Sequence, residues 1–114
     1  MGMRRERNRP THSLEEAKRL AREGRVNVNR RARLFIQNRC ERNDVHAAVA
    51  ELFEAITEGD FCKSEALDVL PGEWGDVYRY VPYDDEEWYV KFFIRRDGTA
   101  VLSVMSANWE GYIH

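Results

Sequence analysis

Lys63, Tyr78, Arg79, Tyr80, Tyr89 and Lys91 are the residues of this chain whose types and spacing suit chemistry. They fall in short segments that read as β-strands. Period-2 alternation puts Tyr89, Lys91 and Phe93 on one face of a strand and Val90, Phe92 and Ile94 on the other. Lysine and arginine take phosphate oxygens, and tyrosine offers a stacking face and a hydroxyl, so such a sheet face suits an RNA backbone. The same groups can cut RNA without a metal. That reaction needs a 2′-hydroxyl deprotonated, cations on the phosphorane-like transition state and an acid for the leaving 5′-oxygen. Exposed sheet faces also carry Lys, Tyr and Arg for solubility alone, and the pattern by itself leaves both readings open.

Other chemistries find less support. His12, His46 and His114 show no metal-ligand spacing, and neither a metal nor an organic cofactor is expected. The chain has no G-x-x-x-x-G-K-[ST], no G-x-G-x-x-G and no G-x-S-x-G. Cys40 and Cys62 form no C-x-x-C, which argues against a disulfide framework or zinc ribbon and fits a reducing cytoplasm. Cys62 neighbours Lys63 and can be activated by it, although a strand cysteine is more often simply packed. No apolar run approaches the ~20 residues of a membrane span. The N-terminal arginines have no apolar stretch behind them, so neither a secretory signal nor membrane association is expected.

The elements that must position these residues follow from the hydrophobic period. Residues 1–10 have no periodicity and read as a basic, flexible tail, leaving 11–114 as a single domain. Ser13-Leu14-Glu15-Glu16 is a capping box opening a helix that Gly24 stops. Val26-Asn27-Val28 reads as an edge strand. A second helix over 30–40 turns Ala32, Phe35, Ile36 and Cys40 inward. Asp44 or Asn43 caps a third, whose Val45, Ala48, Val49, Leu52, Phe53 and Ile56 form the strongest helical stripe, with Gly59 ending it. The period then changes to 2. Strands are expected over 61–65, 76–81, 88–96 and 100–105, with Leu70-Pro71-Gly72-Glu73 a turn, 82–87 an acidic connection and Asp97-Gly98 a hairpin turn. Helices followed by an antiparallel sheet predict an α+β fold, N-terminal helices on a C-terminal sheet.

The 114 residues make one domain, and 43% hydrophobic content is enough for one core. The net charge of -2 hides a split: residues 1–42 carry 13 Lys/Arg against 5 Asp/Glu, and residues 43–114 carry 5 against 15. Such asymmetry fits a face for nucleic acid or an acidic partner, or simply opposite charges pairing across the fold.

Several segments, in order, resemble the MqsR family of bacterial type II toxins. Asp60-Phe61-Cys62-Lys63-Ser64 is similar to that family's D-F-Y-K-S, Trp74-Gly75-Asp76-Val77-Tyr78-Arg79 to W-Q-D-V-Y-R, and Trp88-Tyr89-Val90-Lys91 to V-Y-L-K. Val101-Leu102-Ser103-Val104 stands where the family has a last apolar strand ending in S-F-K. Leu14, Lys18, Leu20, Gly24 and Val26 match the layout of its first helix. The resemblance spans about residues 11–107. It implies a RelE-like α+β fold and a cytoplasmic, metal-independent endoribonuclease that cuts messenger RNA. It also implies a cognate MqsA-like antitoxin carrying a DNA-binding domain, so that DNA is met only through the antitoxin.

On this reading Lys63, Tyr89 and Arg79 are the catalytic candidates. Lys63 would stabilise the phosphate, and would double as proton acceptor if Arg79 or Lys91 depressed its pKa. Tyr89 would orient the phosphate or donate a proton, and Arg79 would clamp phosphate. Lys91, Tyr78, Tyr80, Arg95 and Ser106 form the expected substrate-binding set. Gly75 stands where the family has a glutamine and Ser106 near its late lysine, which motivates an alternative: a catalytically weak or inactive relative acting as a protein- or RNA-binding module. Trp109, in the final segment, is an interface candidate.

Overall fold

The structure, a computed structural model, describes residues 5–40, 44–96 and 98–109, with the backbone alone at 39–40. Among these residues three helices, α1 (Leu14–Arg22), α2 (Arg30–Cys40) and α3 (Val45–Ala55), pack on one face of a six-stranded sheet. Its strands are β1 (Glu6–Arg7), β2 (Val26–Val28), β3 (Phe61–Ala66), β4 (Trp74–Tyr83), β5 (Glu86–Arg95) and β6 (Val101–Trp109). They lie in the order β1-β3-β4-β5-β6-β2, antiparallel throughout except for the parallel pair β2–β6. This is the α+β architecture expected from the sequence.

Local chemistry sets the boundaries. The Ser13 hydroxyl accepts from Glu16 N–H at 3.1 Å and opens α1. The Glu16 carboxylate turns instead to Arg96 beyond β5, tying α1 to the β5–β6 connection. Gly24, at φ +75°, closes α1: its N–H reaches Ala21 O and Arg25 N–H reaches Leu20 O, a Schellman pair that only a residue tolerant of positive φ completes cheaply. Asp44 caps α3 through Ala47 N–H. That helix stops at Ala55, short of Gly59, because Thr57 and Asp60 form a second capping pair around a 3-10 turn, Glu58–Asp60.

The core lies between helices and sheet. Ala17, Leu20, Ala48, Val49, Leu52 and Phe53 meet Tyr78, Val81, Trp88, Val90, Phe92 and Ile94 there. Fully burying one large apolar side chain contributes about 1.5–3 kcal/mol, so this contact layer is what holds the helices to the sheet. On the opposite face the β3–β4 connection folds back, and its own Leu67 is buried, as are Val77 and Phe93 of the sheet, apart from the main core.

The structure departs from the sequence reading in several places. Residues 5–10 are not all without an element: Glu6–Arg7 pairs with Ser64–Glu65 as an edge strand, and Arg7 stacks 3.6 Å over the Trp74 ring. Alternation is invisible in a two-residue strand, and what holds it is long-range: pairing with β3, the Arg7–Trp74 contact and the bond of Lys63 to Glu6. The acidic 82–87 connection is a two-residue turn: Asp84 and Asp85 take φ +52° and +60°, and β4 and β5 run almost to it. Trp109 is no free interface anchor. It ends β6 opposite Trp88 and packs on Phe35 at 4.8 Å. Cys40 and Asn43, singled out above, lie outside the described side chains.

Candidate functional site: a cationic row on the open sheet face

Each residue of Asp60-Phe61-Cys62-Lys63-Ser64 has a place that serves Lys63. The Asp60 carboxylate accepts from Thr57 N–H at 2.8 Å. Phe61 turns edge-on to Tyr78 at 5.5 Å. Cys62 is the extra residue of a β-bulge, since Phe61 pairs with Tyr78 but Lys63 with Val77. The buried Ser64 hydroxyl shares a 2.7 Å hydrogen bond with Thr11. Asp76, fully buried, accepts from the backbone N–H groups of Thr11 and His12 at 2.8–3.1 Å and pins the chain entering α1. The motif residues around Lys63 therefore fix strand register, and Lys63 stands half-buried on the open face next to the exposed Cys62.

Across the sheet the register makes a row. Lys63 pairs with Val77, Val77 with Lys91, and Lys91 with Ser106. Lys63 and Lys91 stand two strands apart, about 10 Å between Cα atoms. A single carboxylate joins them: Glu65, 3% exposed, lies 3.8 Å from Lys63 Nζ and 3.7 Å from Lys91 Nζ. Gly75, opposite Glu65 on β4, makes this possible. A Cβ at Gly75 would meet Lys91 Cε at 3.0 Å and Leu67 Cδ2 at 3.1 Å. The space of the missing side chain is filled by the lysine stem that leans toward Glu65.

The next row holds the phenols. Between Tyr78↔Val90 and Val81↔Trp88, both Arg79 and Tyr80 oppose Tyr89. The bulge puts Tyr80 at φ +62°, a conformation costly for a side chain with a Cβ. It leaves Tyr80 54% exposed, with the Arg79 guanidinium 4.9 Å from its ring centroid. The two border an open pocket of about 410 Å³ that Gly59–Cys62 completes. Burial, and next the Glu65 carboxylate, push the Tyr89 phenol upward, so it stays protonated through neutral pH.

Lys63 corrects one expectation. Its ammonium donates to Glu6 on β1 at 3.0 Å, and this bond, with the field of Glu65, raises its pKa from 10.5 despite some desolvation. A lysine held as a cation is not a proton acceptor at neutral pH. A second correction concerns Tyr78. It is 1% exposed, stacked against Phe92 at 5.8 Å in the helix-side core, its phenol pushed up to about 12 by burial. It cannot touch a substrate on the open face. The physical reason is register: Tyr78 stands opposite core-facing Val90, and only beyond it does the bulge turn Tyr80 outward, so the two do not share a face.

The structure thus brings Lys63, Lys91, Tyr89, Arg79 and Ser106 together, with Tyr80 at the rim. Arg95 is exposed further along β5, at a separate cleft described below. Sequence reasoning missed Glu65 and Glu6. Glu65 had a signal, since it stands two residues from Lys63 and shares its strand face. Glu6 had none, because its contact spans 57 residues. Among the described residues no group of three His, Cys, Asp or Glu side chains gathers to hold a metal ion.

A mostly antiparallel sheet backed by N-terminal helices, with basic and phenolic side chains on its open face, is the architecture of RelE-like toxins. The match is also direct. The model of the family described as motility quorum-sensing regulator, toxin of MqsA, matches residues 9–106, and the chain belongs to that family. It is a toxin of a toxin–antitoxin system, with a cognate antitoxin as partner. Comparison with curated proteins finds no match. No helix among the described residues is long and apolar enough to cross a membrane.

Proposed function

We propose that this toxin is a metal-independent endoribonuclease that cuts messenger RNA in the cytoplasm, and that an MqsA-like antitoxin silences it and links it to DNA. The observation that carries this reading is the convergence of two lysines, an arginine and a protonated tyrosine on the open sheet face. The 2′-oxygen attacks the adjacent phosphorus as its proton passes to solvent, and the bond to the 5′-oxygen breaks. Lys63, Lys91 and Arg79 carry the charge that grows on the phosphoryl oxygens, where one well-aimed donor is worth about 10²–10³ in rate. Tyr89 gives its proton to the departing 5′-oxygen. Glu65 touches neither oxygen; it holds the two ammonium groups at one separation. Products are a 2′,3′-cyclic phosphate and a 5′-hydroxyl.

One observation favours the alternative of a non-cutting RNA- or protein-binding module. Lys63 is already engaged by Glu6 and Glu65, and Ser106 adds no charge. Induction in bacterial cells separates the two readings. The nuclease arrests growth and leaves new 5′-hydroxyl ends on messenger RNA, and Lys63→Ala and Tyr89→Phe do neither. Growth and RNA ends unchanged by the wild-type chain overturn the nuclease.

A further inference from the structure

A second cleft, larger than the pocket beside Arg79 and Tyr80, has no role in the chemistry above. It lies on the same open face, where Phe93 of β5, Ser103 of β6 and Asn27 of β2 are roofed by the β3–β4 connection. Its volume is about 760 Å³, within the usual range of small-ligand sites. Leu70 and Pro71 form an apolar wall, and Leu70 is 40% exposed, with no place in the core. Glu73 supplies a carboxylate, Asn27 an amide and Ser103 a hydroxyl. Arg95 and Arg96 stand at the same cleft.

Its position relative to the cationic row is fixed by register. Lys91 and Phe93 are successive outward residues of β5, and Ser106 and Ser103 stand opposite them on β6. The step between them is about 7 Å along the strand. Leu67 shares the space above Gly75 with the Lys91 stem, on the row's side. On the β1 side the row ends at the ion pair of Glu6 with Lys63.

We propose that this cleft is a nucleobase subsite: it takes one base of the RNA strand whose scissile phosphate lies at Lys63 and Lys91, and it reads the edge of that base through Glu73, Asn27 and Ser103. The subsite rests on the nuclease reading for the position of the phosphate. Unstacked bases of single-stranded RNA are read in this way, between apolar walls and a few hydrogen-bonding groups. A carboxylate accepts from amino and ring N–H groups only, whereas an amide and a hydroxyl both donate and accept. The cleft therefore discriminates among bases, and the lysine row does not.

The test is a randomised single-stranded RNA cut by the purified chain, with the ends sequenced. Asn27→Ala and Ser103→Ala flatten the base preference at one position beside the cut, by about tenfold for a well-made contact. Glu73→Gln changes which base is preferred there, because one acceptor becomes a donor. Preferences identical to wild type in all three variants, in protein that cuts and melts normally, overturn the subsite. A second measurement does not depend on cutting. Amide NMR shifts on adding a short RNA that is 2′-O-methylated throughout concentrate at Asn27, Ser103 and Met105 if the subsite exists. Shifts there from a chain that never cuts would keep the subsite and end the nuclease reading. Shifts confined to the lysine row would end the subsite.

Discussion

Gly75 shows how much a single missing side chain can decide. In the motif it looks like the loss of a functional group, yet its absent Cβ is the room that Lys91 uses to reach Glu65. Gly75→Ala should cost little stability, since the atoms it meets are the ends of flexible side chains. It should still push the Lys91 ammonium off its position. We expect RNA cutting to fall severalfold with melting nearly unchanged, read by parallel cleavage and thermal unfolding. Glu6 is the converse case. Its hydrogen bond holds Lys63 against the sheet edge and competes with any phosphate. Glu6→Gln removes the competing charge, so affinity for a short RNA should rise a few-fold at low salt, with the gain fading as salt screens the site. Titration by fluorescence anisotropy at two salt concentrations checks both parts. Candidate residues were legible in the sequence where alternation holds: Tyr89 and Lys91 face outward between core residues Trp88, Val90 and Phe92, as expected. Glu65 was missed because buried carboxylates are rare outside pairs, and the pair was unseen.

At the scale of elements, the bulge in β4 does what regular pairing cannot. It turns Arg79 and Tyr80 outward together, at the cost of a tyrosine at positive φ. Tyr80→Gly should relieve about 1 kcal/mol of backbone strain, partly offset by the entropy of glycine. Because Tyr80 is mostly exposed, little packing is lost. Stability should hold or rise slightly while RNA affinity falls by about 1–3 kcal/mol if its ring stacks on a base. Denaturant unfolding and RNA titration on one variant test both halves. A second element-level contact is that of Glu16 with Arg96, which lowers the Glu16 carboxyl from 4.5, chiefly through the hydrogen bond. A depressed carboxylate stabilises the fold above its unfolded pKa, and the contribution disappears as pH falls through the folded value. Glu16→Gln should therefore melt earlier than wild type at pH 7, by the about 0.2–1 kcal/mol of a surface pair, and the two curves should converge well below pH 4.5. The helices were legible from caps and stripe. The bulges at Cys62, Arg79–Tyr80 and Met105 were not, because a one-residue insertion is set by partner strands rather than by its own sequence.

The molecule as a whole separates its tasks by face. The helices and the apolar side of the sheet hold the fold, and the other side carries the cations, the phenols and the cleft. The charge split of the sequence does not map simply onto that division. Basic residues of the N-terminal third pair with acidic ones further on, as Arg22 does with Glu54, so part of the asymmetry is internal pairing. The α+β order was readable because helical and strand periods are segregated along the chain. What closes the sheet was not: β1 and the parallel pairing of β2 with β6 join segments far apart in sequence. Whether the row of Lys63, Lys91 and Tyr89 cuts RNA is read from the ends of the fragments it leaves. Purified protein is incubated with a defined single-stranded RNA, free and on programmed ribosomes, with EDTA present, and the fragment ends are identified. Cuts ending in 2′,3′-cyclic phosphate and 5′-hydroxyl are expected, reduced about 10²–10³-fold in Lys63→Ala. RNA left intact in both settings, or cut equally by Lys63→Ala, would contradict that expectation.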